Sequence, residues 1–331
     1  MGKERIEWLA VLRGLNIVLV VMFHVQLVDM TTGQNHAFCT LVSQPFSPFR
    51  MPLFIFCSGG LLYLSRIRKE WPVGELYIDK VKRIVVPFVF FVTFYYFFKL
   101  SLNSFVKTKV PFSVGHFLES FCIYYDHPSA HLWFLAVLSW MMLMYPLFRW
   151  LCRSATAMTV FLLLTMAVYF LDFDVPAESN YFFLFSLHKY LVFFFAGIYF
   201  FRFGLYSYFK RPLSLVLTLG GYFISCWYEM PLVSSLMGIL MMIALAHQLA
   251  RRYPTLFVSF REYIYQIFLM SFIFQPFVEL VLWRRLFYNE QLFLVFYVLN
   301  VLSGIYLPVL VSQLVERSRL AWLKMCLGLK A

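Results

Sequence analysis

Along the chain, apolar residues run in long unbroken blocks instead of alternating with polar ones, and charged or Pro/Gly-bearing breaks separate the blocks. A run of about 20 apolar residues is what an α-helix needs to cross the hydrocarbon core of a bilayer. The pattern predicts helices near Trp8–Val28, Phe46–Ser65, Ile84–Leu100, Leu132–Trp150, Thr156–Leu171, Lys189–Phe203, Leu213–Tyr228, Pro231–Leu249, Tyr263–Trp283 and Leu292–Val315. Strands of an outer-membrane barrel would instead read as about ten residues of alternating polarity. The fold class is therefore all-α: a polytopic membrane helical bundle of about ten transmembrane helices, forming a single integral membrane domain over residues 1–331.

Composition sharpens this reading. The 331 residues are 62% hydrophobic, 21% aromatic and only 13% charged, far from the roughly half-apolar, one-quarter-charged make-up of domains that fold in water. No room remains for a sizeable soluble domain, which excludes a Rossmann, P-loop or TIM-barrel enzyme. Twenty-eight Lys and Arg against 16 Asp and Glu give a net charge of +12. In a soluble protein that excess would suggest nucleic acid, but in a membrane protein it matters which side carries it. With the N-terminus inside, Lys99, Lys107, Lys109, Lys189, Arg284 and Arg285 fall on the outer side, and Arg13 and Arg50 fall within helices. The remaining twenty basic residues fall inside, so the positive-inside rule selects an even span count with both termini cytoplasmic and no nucleic-acid partner. Reading Leu213–Leu249 as one long helix would break this alternation.

The first apolar block contains Arg13 and His24 and lacks a small-residue cleavage site, so it reads as a retained first helix and not as a signal peptide. The six cysteines form no CxxC pair and no Cys/His spacing of zinc type, which argues against a metal or disulfide framework, although Cys39 and Cys122 both fall on the outer side and could pair. The longest stretches outside predicted helices are the outer loop around Gln34–Gln44, the inner loop Arg66–Arg83 and the outer loop Ser101–Ala130.

Ionisable groups at membrane depth are costly and mark functional sites by default. Arg13 and His24 are the pair in the first helix; at 100° per residue their spacing puts both on one face, about 16 Å apart along the axis. Arg13 lies in the inner half, a fixed cation within reach of an anion entering from the cytoplasm. His24 lies in the outer half and titrates near neutral pH. The plainer alternative is that Arg13 snorkels to the inner headgroups and His24 is a packing residue. Arg50 sits near the outer end of the second helix, on the same side as His24, and Ser58-Gly59-Gly60 further along lets a neighbouring helix approach closely. Ser58 reads as a packing hydroxyl.

The inner loop supplies Lys80, Lys82 and Arg83, which topology alone accounts for and which a phosphate could also use. At the outer surface, His131 opens the fourth helix and could line an outer cleft with His24, as could Asp126 and His127. Glu279, near the outer end of the ninth helix, either belongs to that side's chemistry or pairs with Arg284 or Arg285. His247 reads as interfacial and Glu262 as a solvated cap. The chain has no Gly-rich phosphate loop, no GxSxG, no HExxH and no convincing inverted repeat of broken helices.

Together these features resemble the acyltransferase-3 family of membrane acyltransferases, especially its stand-alone glycan O-acetylases. The resemblance rests on Trp8-Leu9-Ala10-Val11-Leu12-Arg13-Gly14 followed by His24, and on Phe49-Arg50-Met51-Pro52-Leu53-Phe54 with Ser58-Gly59. It continues through Tyr77, Lys80, Lys82, Arg83 and Pro87, His131-Leu132-Trp133-Phe134-Leu135, Phe193-Phe194-Phe195-Ala196-Gly197 and Tyr265-Gln266-Ile267-Phe268-Leu269. The chain departs from the family at Ala10, where Asp is frequent, and at Ser271, where His is frequent.

The resemblance implies an inner-membrane O-acyltransferase, with an acyl group, usually acetyl, passing from cytoplasmic acyl-CoA to a hydroxyl of a lipid-linked or surface polysaccharide sugar. No cofactor is held; acetyl-CoA or another acyl-CoA is the donor substrate. His24 and Arg13 are then the catalytic candidates. Arg13, Lys80, Lys82 and Arg83 are candidates for the polyanionic CoA through charge-assisted bonds, and Arg50, His131 and Glu279 stand on the acceptor side. The rival class is a transporter or flippase for a polyprenyl-linked sugar or small anion, with Arg13, Arg50, His24 and Glu279 along its path.

Overall fold

The computed structural model describes residues 7–30, 32–104, 109–123, 127–173, 176 and 179–329. Lys3, Arg5, Lys107, Asp126 and Lys330 lie outside the described residues. The described chain is helical, and it has no strand; its one extended contact is an isolated antiparallel bridge between Val28 and Asn35. Five helices are long and apolar enough to cross a membrane: Val73–Ser101, Tyr181–Arg202, Pro231–Arg252, Ile264–Leu286 and Glu290–Arg317. A bent pair, Ala130–Leu143 and Tyr145–Leu151, would add a sixth. Ala155–Tyr169 and Pro212–Trp227 are apolar but shorter.

The chain divides into two compact units. The first takes residues up to Cys57 together with Gly204–Arg317. It contains α1 (Glu7–Phe23), the short α2 (Ala37–Ser43) and the N-terminal part of α3 (Ser47–Leu62). Its later helices are α11 (Pro212–Trp227), α12 (Pro231–Arg252), α13 (Ile264–Phe277) and α14 (Phe293–Arg317). The second unit takes Ser58–Phe203 and Ser318–Ala331. It contains α4 (Val73–Lys80), α5 (Val86–Ser101), α6 (Val114–Glu119), α7 (Trp133–Leu143), α8 (Tyr145–Leu151), α9 (Ala155–Tyr169), α10 (Leu187–Arg202) and α15 (Ala321–Cys326).

Proline chemistry explains several boundaries. Pro212 and Pro231 open α11 and α12, where the missing N–H costs nothing and the fixed φ is already helical. Between those helices Glu229 takes a left-handed φ of +51°, so Leu213–Leu249 is a hairpin and not one long helix. The predicted fourth helix is bent by 54° between α7 and α8, because Pro146 in the first turn of α8 can neither donate to the preceding turn nor avoid its carbonyl. Pro52, inside α3, leaves the Pro48 carbonyl without its helical donor. The Ser235 hydroxyl of α12 donates to that carbonyl at 2.6 Å.

Helix contacts in each unit follow from small residues. In the first unit a Cβ on Gly238 would fall on the Phe49 ring. In the second, a Cβ on Gly59 would fall on the Phe194 carbonyl oxygen and one on Gly60 on the Phe201 ring. The Ser58-Gly59-Gly60 element thus brings the end of α3 against α10, as small residues do in membranes. The stretch Arg66–Arg83 differs from the expected loop: Tyr63–Ile67 and Val81–Val85 are π-helical and α4 lies between them. Lys80, Lys82 and Arg83 therefore stand on helical backbone that runs on into α5, since the apolar residues Leu76 and Ile84 are buried on the same stretch. The stretch Ser101–Ala130 is likewise broken by α6. All six cysteines are free thiols.

Candidate functional site

Of the eight residues singled out, Arg13, His24, Arg50 and Glu279 belong to the first unit, and Lys80, Lys82, Arg83 and His131 to the second. In the first unit the site is organised around α1. Its start is fastened by Arg261, which donates to Glu7 and to the Pro254 carbonyl, each at 3.2 Å. Trp8 stacks on His247, with ring centroids 4.4 Å apart, so His247 is a packing partner in the core. Arg13 is half-buried on the same helix, and His24 follows its last residue, Phe23.

Three residues after Arg13, the buried side chain of Asn16 reaches the backbone of α3. In the orientation that satisfies both atoms, its amide donates to the Arg50 carbonyl and accepts from the Phe54 N–H, each at 3.1 Å. The helix carrying Arg50 is thus tied to α1, which ends just before His24, by a side chain that grips α3 within one turn of Arg50. The Arg50 guanidinium lies over the Phe23 ring, 3.2 Å from its centroid. A cation over an aromatic face is attracted by the ring quadrupole, by about 2 kcal/mol when desolvated. Arg50 is buried, yet among the described residues its Nε and Nη1 have no hydrogen-bond partner and it forms no ion pair. A buried cation left with open donors is costly unless an anion or carbonyl oxygen arrives to meet it.

His24 is half-buried, its ring against Phe272 of α13 at 4.2 Å and edge-on to Phe23 at 5.1 Å. Neither ring nitrogen forms a hydrogen bond among the described residues, so both are available to an incoming group. Glu279 resolves its two readings: it is buried and accepts a hydrogen bond from Arg284 within the π-helical segment Val278–Leu286. Its charge is thereby matched from within its own turn.

In the second unit, Asp79 gathers two of the basic residues. Arg83 Nε lies 2.8 Å from one carboxylate oxygen and Arg66 Nη2 lies 3.0 Å from the other. Arg66 also stacks on Trp71, 3.2 Å from the ring centroid. The Trp71 carbonyl accepts from Tyr145 at 2.8 Å and from Arg149 at 3.4 Å. Arg83 is therefore shared with an acid, whereas Lys80 and Lys82 form no ion pair among the described residues. Lys82 is exposed and Lys80 half-buried. His131 packs edge-on against Tyr95 at 4.4 Å.

The sequence reading missed Asn16, Gln275 and Asn300. It weighed ionisable groups at membrane depth, but a neutral amide in an apolar helix is also expensive to bury and carries the same signal. Gln275 donates to the Val21 carbonyl at 2.9 Å, and Asn300 donates to the Gln275 carbonyl at 3.1 Å.

A family model described as an acyltransferase domain matches residues 6–313. Comparison with curated proteins and with solved structures gave no match. The matched segment takes in α1 with Arg13 and His24, Arg50, the Lys80–Arg83 stretch and both units, so the chain belongs to the acyltransferase-3 family of membrane acyltransferases.

Proposed function

We propose that this protein is an inner-membrane O-acyltransferase, most simply an O-acetyltransferase, acting as a single membrane domain of ten spans with both termini cytoplasmic. The donor is cytoplasmic acyl-CoA and the acceptor a hydroxyl of a lipid-linked or surface polysaccharide sugar. The observation that carries the reading is the pairing, in one unit, of a histidine whose ring nitrogens and a buried arginine whose Nε and Nη1 have no hydrogen-bond partner among the described residues, the arginine stacked on the residue next to the histidine.

In direct transfer, His24 takes the proton of the acceptor hydroxyl as its oxygen attacks the thioester carbonyl carbon. The carbon–sulfur bond then breaks and CoA leaves as the thiolate, which regains a proton. Arg50 offers its unpartnered donors to the oxyanion that forms on the carbonyl oxygen. Cations for CoA phosphates in this reading are Arg13 in the first unit and, separately, Lys80, Lys82 and Arg83 in the second. In the second unit His131 is the acceptor-side candidate, whereas Glu279 of the first unit is already paired with Arg284.

The test is His24→Ala, inserted and purified as the wild type is. Thiol release from acetyl-CoA with candidate glycans and the acetyl mass on cell glycans should both vanish. Unchanged acetylation in that variant would sink the assignment, and sugar movement without acyl-CoA consumption would point to a transporter.

A further inference from the structure

The last turn of α1 is tightened. In a continuing α-helix the Val21 carbonyl would accept from Val25, but here it accepts from His24 N–H at 3.1 Å, and Val25 N–H turns to Met22 at 3.3 Å. The same Val21 carbonyl receives the Gln275 side-chain amide at 2.9 Å. One turn of α13 therefore acts on the His24 turn twice: Gln275 holds the Val21 carbonyl that receives the His24 N–H, and Phe272 backs the His24 ring.

Gln275 is itself fixed. It is buried, Asn300 of α14 donates to its carbonyl at 3.1 Å, and Pro276 follows it. Gly304 of α14 leaves the space: a Cβ there would come within 2.9 Å of both Gln275 Cγ and Val21 Cγ1. The junction of α1, α13 and α14 is packed too closely to be a ligand pocket. An apolar side chain of this length would fill the same volume without the cost of burying an amide, so what the amide contributes is its N–H.

We infer that Gln275 is a positioning residue: by pinning the Val21 carbonyl it fixes the tightened turn that presents the His24 ring to substrate. Without that donor the Val21 carbonyl can return to Val25, extending α1 and rotating His24 away. The inference rests on the proposed acyl transfer for its kinetic consequence, but not for its structural one.

The experiment compares Gln275→Leu and Gln275→Glu with the wild type in nanodiscs. Leu keeps the packing and removes the donor. Turnover should fall roughly ten- to a hundredfold, the scale of a small misplacement of a reacting group, with KM for acyl-CoA within about twofold. Backbone hydrogen exchange in a peptide covering residues 20–28 should speed up. The carboxyl introduced by Gln275→Glu donates when protonated and repels the carbonyl when ionised, so its rate relative to wild type at the same pH should fall as pH rises. Wild-type turnover and exchange in Gln275→Leu would overturn the inference. If Gln275→Leu does not assemble, a relative rate of Gln275→Glu that is flat with pH would overturn it. If the wild type turns over no acyl-CoA, the functional reading has failed and exchange alone decides: faster exchange supports the positioning role and unchanged exchange overturns it.

Discussion

The guanidinium of Arg50 stacks 3.2 Å from the centroid of the Phe23 ring, and Phe23 directly precedes His24. Arg50 and Phe23, 27 positions apart in sequence, are thus held together, which sets a fixed cation over the residue next to His24. Arg50→Lys keeps the charge but loses the planar fork and the stacking surface. Turnover of Arg50→Lys should drop about a hundredfold, the range found for losing one oxyanion donor, and Arg50→Ala should drop at least as far. Steady-state kinetics of thiol release checks both; a Lys variant of wild-type rate would remove Arg50 from oxyanion stabilisation.

Asn16 grips the α3 backbone at the Arg50 carbonyl and the Phe54 N–H. Asn16→Leu removes both bonds while filling the site, and should destabilise the first unit by about 1–3 kcal/mol. The expected readout is a lower Tm in detergent together with reduced turnover. An unchanged Tm would show that α1 and α3 hold each other by packing alone.

Gly59 and Gly74 make a matched pair. A Cβ on Gly59 meets the Phe194 carbonyl oxygen, whereas one on Gly74 meets nothing within 4 Å. Gly59→Ala should therefore cost about 1–3 kcal/mol through overpacking and lower the yield of folded protein. Gly74→Ala, on the exposed side of a helix, should be neutral or stabilising. Fluorescence-detected size-exclusion profiles after heating compare the two directly.

Lys82 is exposed and forms no ion pair among the described residues, while Arg83 is shared with Asp79. Lys82→Gln should accordingly raise KM for acyl-CoA more than Arg83→Gln does. The wild-type KM should also rise with salt, as exposed charge contacts are screened over about 10 Å at 0.1 M. A larger effect from Arg83→Gln would mean that Asp79 orients that arginine toward the donor.

Burial pushes the Cys39 thiol above its ordinary value. Since the thiolate is the reactive form, Cys39 should resist alkylation at neutral pH and label faster as pH rises. Mass spectrometry after maleimide or iodoacetamide treatment reads this at one peptide; rapid labelling at pH 7 would show that α2 opens.

Much of this was legible from the chain because it rests on one-dimensional patterns. The apolar blocks gave helices in nearly every expected place, the Ser58-Gly59-Gly60 run announced a close approach, and the two arginines and one histidine stood out by their cost at membrane depth. Boundaries were harder. The Lys80–Arg83 stretch read as loop because its charges break the apolar run, yet buried Leu76 and Ile84 keep it helical. Glu279 left two readings open, and the pairing with Arg284 chose between them.

By itself, the sequence determined that this is an all-helical membrane chain and which charged side chains are too expensive to be accidental, because hydrophobic block length and the cost of burying charge are local properties. Tertiary structure decided which of those charges are matched and which stay open. Arg83 and Glu279 have partners of opposite sign, Arg50 stacks on an aromatic face and forms no ion pair among the described residues, and the His24 turn is held by the Gln275 amide of α13. Those outcomes depend on which helix packs beside which, and a neutral Asn or Gln shows its purpose only once the carbonyl it meets is in place.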